Sequence, residues 1–366
     1  MSQVLFNGFY GFKNTGDDAF VEIASWGNQN FWNNEKLPYV AGSDLPITLI
    51  PYKTVHSHNA NKFVQKLGVF DKALHSDYFI TAGGSFFSEI RPMGNIVFAQ
   101  QAQRLNKKLK HGAIGVSIGP FKNGKEEKKV QEYLKSLNFL TLRDNLSYEY
   151  ANSLELNCKP INAFDLAALL PICYSDINSP MKQNDKNVIG VSICNYERYH
   201  GGDLKNEEKR NKFLKQVLTA LAKNEKNYFK FYIFNDNQQI GDHQITAEMT
   251  SLLPTGQFEI VPYSEVTRTT WQDIKSCDFM FSVRLHASVF ACYANIPFML
   301  IEYHRKCADF LEDVGYDTNL RVFDGIRDPN EVVRDIENIL NGAYRYPINV
   351  NQTIERAKLN FNEVVL

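Results

Sequence analysis

The chain has 366 residues, which is enough for two domains of roughly 180 residues each. Hydrophobic residues make up 44% and charged residues 22%, as in ordinary globular proteins, so a sizeable core can form. The 40 basic and 41 acidic residues leave a net charge of −1, which argues against nucleic acid as the partner and against strong electrostatic binding to a membrane surface.

The first half of the chain predicts a parallel α/β domain. Runs of continuous apolar residues, typical of strands covered on both faces of a sheet, occupy residues 4–6, 47–51, 78–82, 113–118 and 139–142. Amphipathic stretches separate these runs. One of them predicts a helix with its apolar residues on a single face: Phe98, Ala102, Leu105 and Leu109. Such alternation of strands and helices predicts a parallel sheet.

A polar segment with two prolines, residues 171–187, interrupts the alternation and predicts a linker. Strands are predicted again at residues 188–194, 229–234, 258–261, 279–281 and 298–301, with final helices near 330–340 and 353–364. We therefore expect α/β domains over residues 1–175 and 186–345, and a C-terminal helix in 346–366 that packs back on the first domain. Two Rossmann-like domains would face a cleft, where ligands bind beyond the carboxyl ends of the strands.

The turn after the first strand carries a candidate binding site. Its loop contains Gly8, Gly11 and Gly16 and leads to Asp17 and Asp18 at a helix start. Glycine lets a ligand approach the backbone closely, and a helix N-terminus offers unpaired N–H groups. An ordinary helix cap would explain one acidic residue. Two adjacent acids together with Asn14 leave that structural role and a ligand site both open.

Small residues also end the next strands. One strand leads into Gly83, Gly84 and Ser85, and another ends at Gly119. Each could be a tight turn, but at the carboxyl ends of parallel strands all three glycine loops would face one crevice. After the following strand, Arg143 can either pair with a neighbouring acid or point into that crevice.

The strongest functional signal is "FSVRLHASVFACYANIPFMLIEY", residues 281–303. Ser282 ends a predicted strand and helical spacing follows, so Arg284 and His286 lie at a strand-to-helix junction. Backbone N–H groups and the helix dipole favour an anion there. Arginine adds a bidentate fork, and histidine can donate a hydrogen bond or a proton near neutral pH. A structural salt bridge with a core histidine is the alternative, but the pattern favours an anionic ligand.

The next strand delivers Tyr303 to its carboxyl end, and Lys306 lies at the start of the helix that follows. A cation at a helix start opposes the helix dipole. Lys306 is therefore either a solvated lysine or a group recruited for an external anion.

Cysteine usage and the N-terminus favour a cytoplasmic protein. No two of the six cysteines form a Cys-x-x-Cys pair, which predicts free thiols in a reducing compartment. We expect no leader peptide, and no window approaches the roughly 20 apolar residues of a membrane span. His56 and His58 lie close together, but without nearby carboxylates they do not predict a metal site.

Several segments together resemble the polysaccharide pyruvyl transferase family. "GFYGFKNTGDDA", "TAGGSFF", "SIGP", "LRDNLS" and "SVRLHASVFACYANIPFMLIEYHRK" follow the order of that family, and the resemblance covers residues 4 to 316. It implies a GT-B-like fold and transfer of pyruvate from phosphoenolpyruvate to a sugar as a cyclic ketal, with release of phosphate. It implies no cofactor and no metal, and as acceptor a bacterial surface polysaccharide or its lipid-linked precursor.

The resemblance also implies roles for individual residues. Arg284 and His286 would bind phosphoenolpyruvate from the C-terminal domain, with Arg143 across the cleft, whereas Asn14 and Asp17 would line the acceptor side. We expect His286, Arg284 and Asp17 to act in catalysis, His286 as the acid or a phosphate ligand and Asp17 as the base. The expected binding residues are Arg143, Lys306, Asn14, Gly16, Gly83, Gly84, Ser85, Ser282 and Tyr303.

Two departures and two alternatives accompany this interpretation. Asp17-Asp18 stands where the family more usually has Asp-Glu, and the acidic segment around Asp242 matches only loosely. A GT-B glycosyltransferase with a nucleotide-sugar donor would share the architecture. A non-catalytic relative would bind phosphoenolpyruvate without turnover. A lipid-linked acceptor would also be compatible with peripheral contact at the inner face of the membrane.

Overall fold

The computed structural model describes residues 1–55, 61–178 and 185–366, so His56 and His58 lie outside the described residues. Two sheets, built from parallel strand pairs, form its centre. The first contains β1 (Val4–Asn7), β2 (Tyr39–Val40), β3 (Lys53–Thr54), β4 (Tyr78–Phe87), β5 (Lys110–Ile118), β6 (Phe139–Leu142) and β7 (Pro160–Asn162). The second contains β8 (Asn187–Ser192), β9 (Asn227–Tyr232), β10 (Phe258–Val261), β11 (Phe279–Ser282) and β12 (Phe298–Leu300).

Helices connect and cover these strands. They are α1 (Thr15–Asn30), α2 (Lys62–Leu74), α3 (Asn95–Leu105), α4 (Gly124–Lys135), α5 (Asn145–Asn152), α6 (Leu170–Cys173), α7 (Glu197–His200), α8 (Leu204–Leu221), α9 (His243–Thr250), α10 (Thr267–Ile274), α11 (Leu285–Tyr293), α12 (Arg305–Asp313), α13 (Pro329–Leu340) and α14 (Val350–Asn362). Short 3₁₀ turns occupy Leu166–Leu169 and Thr318–Leu320. Within the described ranges, no helix combines the length and apolarity needed to cross a membrane.

The strand order of both sheets explains where a site can form. The first sheet runs β3-β2-β1-β4-β5-β6-β7 and the second runs β10-β9-β8-β11-β12. In each sheet the order reverses beside the first strand, between β1 and β4 and between β8 and β11. Ligands of such folds bind at these switch points, beyond the carboxyl ends of the strands.

Continuous apolarity of the strands follows from burial on both faces. Val4 and Phe6 of β1 belong to one core cluster and Leu5 belongs to another, because successive side chains point to opposite faces. The first of these clusters also contains Met280 of β11 and Phe290 of α11. One hydrophobic core therefore joins the two halves of the molecule.

Backbone hydrogen bonds also join the halves near the switch points. Thr15 N donates to Phe234 O at 2.9 Å, and Asp236 N donates to Lys13 O at 3.0 Å. The C-terminal helix α14 packs against the first half, where the rings of Phe31 and Phe361 stack at 5.1 Å.

The predicted elements were mostly confirmed, with β6 and β10 at their expected bounds and α11 and α12 where expected. The strand predicted at 47–51 was wrong: this segment lies between Pro46 and Pro51, and proline cannot donate to a sheet. The strand is instead β3, while Ile47 forms an isolated bridge to Val266 in the second half.

Three further features differ from the prediction. The apolar face of α3 is not the predicted one, because Leu105 is 73% exposed and Leu109 lies beyond the helix end. Strand β4 continues through Gly83 and Gly84 to Phe87, so these glycines lie within the strand rather than after it. The predicted linker begins in α6, and Tyr174 is buried in the core.

Candidate active site

The turn between β1 and α1 places two acids in different surroundings. Asn14 caps α1 by accepting a hydrogen bond from Gly16 N at 3.2 Å, and its Nδ2 donates to Asp17 Oδ2 at 2.9 Å. The carboxyl of Asp18 is buried and accepts a hydrogen bond from the Tyr263 hydroxyl, in the second half, at 2.8 Å. The cap is therefore Asn14, and the two acids lie in the first turn of the helix.

Asp17 faces the cations of the cleft. Burial raises the pKa of Asp17 to about 7, and the positive charges of Lys306, Arg143 and Arg284 only partly oppose this effect. A carboxyl group with this pKa exchanges protons near neutral pH. The neighbouring Asp18 has a pKa of about 8, also raised mainly by burial.

His286 lies directly against the turn of the first half. A Cβ atom at Gly16 would overlap its imidazole ring, so only glycine allows this approach. The ring of Phe20 packs edge-on at 5.4 Å between centroids. His286 Nε2 is buried without a hydrogen-bond partner, and burial lowers the pKa of the imidazole to about 4. The imidazole is therefore neutral at pH 7 in this structure.

Arg143 is held by three side chains at the carboxyl ends of the first sheet. Its Nε donates to Ser117 Oγ at 2.7 Å, its Nη2 donates to Ser85 Oγ at 2.9 Å, and its Nη1 pairs with Asp165 at 2.7 Å. The prediction that Arg143 points into the crevice is compatible with this geometry. Its acidic partner is Asp165, which follows β7 and was not identified from the sequence.

Arg284, in the second half, corresponds to Arg143 in the first half, because it too is paired with an acidic side chain. Its Nε donates to Asp242 Oδ1 at 2.9 Å, and its Nη2 contacts the same oxygen. Asp242 is fully buried and also accepts hydrogen bonds from the backbone N–H groups of Phe234 and Asn235. The Arg284 side chain keeps 20% of its surface exposed. The structure thus shows the structural salt bridge that was the alternative for Arg284, while its binding of an anionic ligand stays a prediction.

Lys306 lies at the N-terminus of α12, where His304 caps the helix by accepting a hydrogen bond from Lys306 N at 3.2 Å. Within the part of the chain that the structure describes, its ammonium group forms no ion pair with a carboxylate. Burial lowers its pKa, and Nζ lies 5.8 Å from the ring centroids of Tyr196 and Tyr303. Lys306 is therefore a sheltered cation that the described residues provide with no carboxylate partner, and its binding of an external anion stays a prediction.

A cavity of about 400 Å³ lies between the two halves. Arg143 and Lys306 line it, whereas Asp17, Arg284 and His286 do not, although the charges of Arg143 and Lys306 reach Asp17. The first half contributes Ser85, Arg143 and Asp165 and the second contributes His304 and Lys306. Gly119 also lines it, as does Ser85 of the second glycine segment, but the glycines of the loop after β1 do not. A larger groove of about 560 Å³ lies beside β7 and α14 and contains none of these groups.

The remaining predicted residues lie in different places. Tyr303 is partly buried beside Lys306. Gly83, at φ +75°, packs under Phe20, while Gly84, at φ +83°, leaves more room. Ser282 is fully buried and its hydroxyl bonds to Ser288 at 2.7 Å, so the structure does not bring it to the cavity.

Over the described ranges of the chain, no group of three or more His, Cys, Asp and Glu side chains is arranged to hold a metal ion. All six cysteines lie in the described residues and none is in a disulfide, as predicted.

Comparison with known proteins adds two findings. A family model described as "Polysaccharide pyruvyl transferase" matches residues 11–305. A comparison with curated protein sequences finds no match.

Several solved structures share the fold at low identity. UDP-GlcNAc 2-epimerase from Methanocaldococcus jannaschii aligns with a TM-score of 0.65, 9% identity and 98% of each chain covered. The MnaA–UDP structure from S. aureus gives 0.60 and 10%, covering 99% of this chain and 92% of that one. The Neisseria meningitidis epimerase bound to UDP-GlcNAc gives 0.58 and 10%, with 100% of both chains covered. At these identities the likeness concerns the fold, which has two Rossmann-like domains in the GT-B arrangement.

Proposed function

The chain belongs to the polysaccharide pyruvyl transferase family, and from this premise we propose that it transfers pyruvate from phosphoenolpyruvate to a sugar. The acceptor is a bacterial surface polysaccharide or its lipid-linked precursor. Two hydroxyls of one sugar end in a cyclic ketal, and inorganic phosphate is released.

The observation that carries the proposal is that the positive charges of three side chains, Lys306, Arg143 and Arg284, all act on the carboxyl group of Asp17, whose pKa is about 7. Phosphoenolpyruvate has a carboxylate and a phosphate, and its recognition calls for two or three cationic groups. Lys306 lacks an anionic partner in the described residues, and Arg143 and Arg284 lie near enough to Asp17 to influence its pKa. A dianionic phosphoester supplies the charge that this arrangement lacks.

The geometry favours an exchange of the roles that we expected for the two catalytic candidates. A carboxyl with a pKa of about 7 can hold a proton at neutral pH, whereas an imidazole with a pKa of about 4 cannot. We therefore assign Asp17 as the proton donor to the methylene carbon of phosphoenolpyruvate. The unpartnered Nε2 of His286 is the base for the attacking hydroxyl.

With these roles, every proton that is removed during the reaction is returned. Protonation of the methylene carbon by Asp17 gives an oxocarbenium-like centre, which the first sugar hydroxyl attacks while His286 takes its proton. The second hydroxyl displaces phosphate, its proton returns to the Asp17 carboxylate, and the phosphate leaves with the proton from His286. Arg143, Arg284 and Lys306 stabilise the carboxylate and the departing phosphate.

The test is incubation of the purified chain with phosphoenolpyruvate and either a glycosylated lipid or an aryl glycoside. We expect release of phosphate and a product whose mass has increased by pyruvate minus water. Release of nucleotide from a nucleotide sugar would instead favour a GT-B glycosyltransferase. Binding of phosphoenolpyruvate without turnover would favour a non-catalytic relative. Because the donor is a cytoplasmic metabolite, we place the reaction in the cytoplasm, with peripheral contact at the inner face of the membrane.

A further inference from the structure

The cavity between the two domains changes character along its length. Lys306, Asp309 and Asp313 of α12 all line it, and these positions fall on one helix face because they are three and four residues apart. With a rise of 1.5 Å per residue, the cavity follows this face for about 10 Å from the ammonium group to the last carboxylate.

The side chains of the opposite wall also change from basic to acidic and apolar along the chain. Arg143 lies just before α5, Asp144 caps that helix by accepting a hydrogen bond from Ser147 N at 2.8 Å, and Leu146 and Tyr150 lie on the helix itself. All four residues line the cavity. Both walls therefore begin with a cation and continue with acidic and apolar side chains.

Aromatic rings also line the cavity. Phe121 and Tyr150 lie 5.3 Å apart between ring centroids, and both line the cavity. The Tyr150 hydroxyl donates to Glu127 at 2.8 Å and accepts from Gln131 at 2.9 Å, so the ring is held in place without a ligand. A fixed apolar ring presents a surface to a ligand at little entropic cost.

Acids that line the cavity influence one another across it. Burial raises the pKa of Asp309 and of Asp313, and the negative charge of Asp144 in the other domain adds to both effects. Asp313 forms an ion pair with Arg356 at 2.8 Å, whereas the ion pair that the described residues offer Asp309 is the longer one to Arg305 at 3.7 Å. An anionic ligand such as phosphoenolpyruvate is disfavoured here, and the carboxylate oxygens require hydrogen-bond donors.

We propose that the part of the cavity formed by Phe121, Asp144, Leu146, Tyr150, Asp309 and Asp313 is the subsite for the acceptor sugar. The inference rests on the proposed function and deepens it. A neutral sugar ring supplies hydroxyl donors for the carboxylates and a C–H face for the aromatic rings. The cationic end holds the donor, so the two hydroxyls to be bridged lie next to the reacting carbon.

The test separates binding of the acceptor from binding of the donor. Asp309→Asn and Phe121→Ala should each raise the KM for a nitrophenyl hexoside about ten-fold, the effect of losing one good polar or aromatic contact. The KM for phosphoenolpyruvate should stay within about two-fold. Glu312→Gln, exposed on the same helix, and Phe63→Ala, 59% exposed on α2, are the matched controls and should change neither constant. An increase confined to the KM for phosphoenolpyruvate, or no increase at all, overturns the subsite.

A second measurement distinguishes failure of this inference from failure of the proposed function. When the wild-type chain releases no phosphate with any glycoside, the proposed function fails, but saturation-transfer NMR still reports binding. Glucoside, galactoside, mannoside and N-acetylglucosaminide nitrophenyl probes are compared at equal concentration. Saturation of one probe by the wild type and the Glu312→Gln control, and its loss in Phe121→Ala, supports the subsite. Absence of saturation for all four probes overturns it.

Discussion

The first and second domains form the two walls of the cleft. The walls share one structural feature and differ in another. Each wall holds an arginine against a carboxylate: Arg143 against Asp165 in the first domain and Arg284 against Asp242 in the second. The second wall adds the ammonium group of Lys306, which forms no ion pair with a carboxylate among the described residues, and the buried Nε2 of His286, which has no hydrogen-bond partner there.

This difference indicates which groups shape the empty site and which depend on a ligand. An arginine paired with a buried acid keeps its position without substrate, so the paired arginines form a preorganised frame. A sheltered cation without a partner is costly in the free protein. Binding of an anion removes that cost, so Lys306 is the group whose interaction energy appears only in the complex.

The largest expected effect comes from breaking the frame in the second wall. Arg284→Ala leaves Asp242 charged and fully buried, so the free energy of unfolding should fall by about 3 kcal/mol. Phosphate release should fall below detection. Urea denaturation measures the first effect, and Arg305→Ala, whose side chain is 66% exposed, should change stability by less than about 0.5 kcal/mol. Equal stability of the two variants would contradict the structural role of the pair.

Lys306→Gln should separate binding from stability. Since Lys306 forms no ion pair in the described part of the chain, its loss should leave the free energy of unfolding unchanged or slightly higher. The KM for phosphoenolpyruvate should rise about 100-fold, as for a lost charge-assisted contact. Lys205→Gln on the exposed start of α8 serves as the control. A clear loss of stability with an unchanged KM would instead mean that Lys306 has a structural role, like the paired arginines.

Gly16→Ala should disturb the contact between the walls. The added Cβ would overlap the imidazole of His286, so we expect about 1–2 kcal/mol lower stability and about ten-fold lower kcat. Gly124→Ala is the matched control, because no atom lies within 4 Å of its Cβ position at the start of α4. If both variants behave alike in denaturation and kinetics, the close contact between Gly16 and His286 is not needed for stability or catalysis.

The smallest effect is a dependence on pH that originates in the first wall. The folded pKa of Asp17, about 7, lies above the ordinary value of 3.8, so the folded chain binds this proton more tightly than the unfolded chain. Ionisation of Asp17 therefore lowers stability progressively from about pH 4 to pH 7. Asp17→Asn should abolish this loss and be more stable than wild type at pH 8, by about 1–2 kcal/mol.

Asp17 should also determine how kcat depends on pH. As the proton donor, Asp17 loses its proton above pH 7, so kcat should fall as the pH rises through about 7. Denaturation at pH 5 and pH 8 and a kcat profile check both effects. Glu149→Gln, exposed on α5, should match the wild type throughout. A kcat that rises with pH would return Asp17 to the role of base.

Local patterns account for the parts of the fold and site that sequence reasoning identified. The continuous apolar runs of β6 and β10 gave their bounds, and the strand-to-helix junction located Arg284 and His286, because such signals depend only on neighbouring residues. Where a non-local contact decided the outcome, the prediction was wrong. Residues 47–51 are mostly apolar but do not extend the sheet, and Ile47 forms an isolated bridge to Val266 instead. Leu105 has the right spacing but no surface to cover it.

By itself the sequence determined the α/β class, the family and the residue types at the strand ends. Only the tertiary structure decided that Asp165 and Asp242 hold the two arginines, that Asp18 bonds to Tyr263, and that Lys306 forms no ion pair with a carboxylate of the described residues. These pairings join residues 22, 42 and 245 positions apart. The protonation of a buried group depends on which distant charges and how much solvent surround it, and that arrangement exists only once the two halves of the chain have packed together.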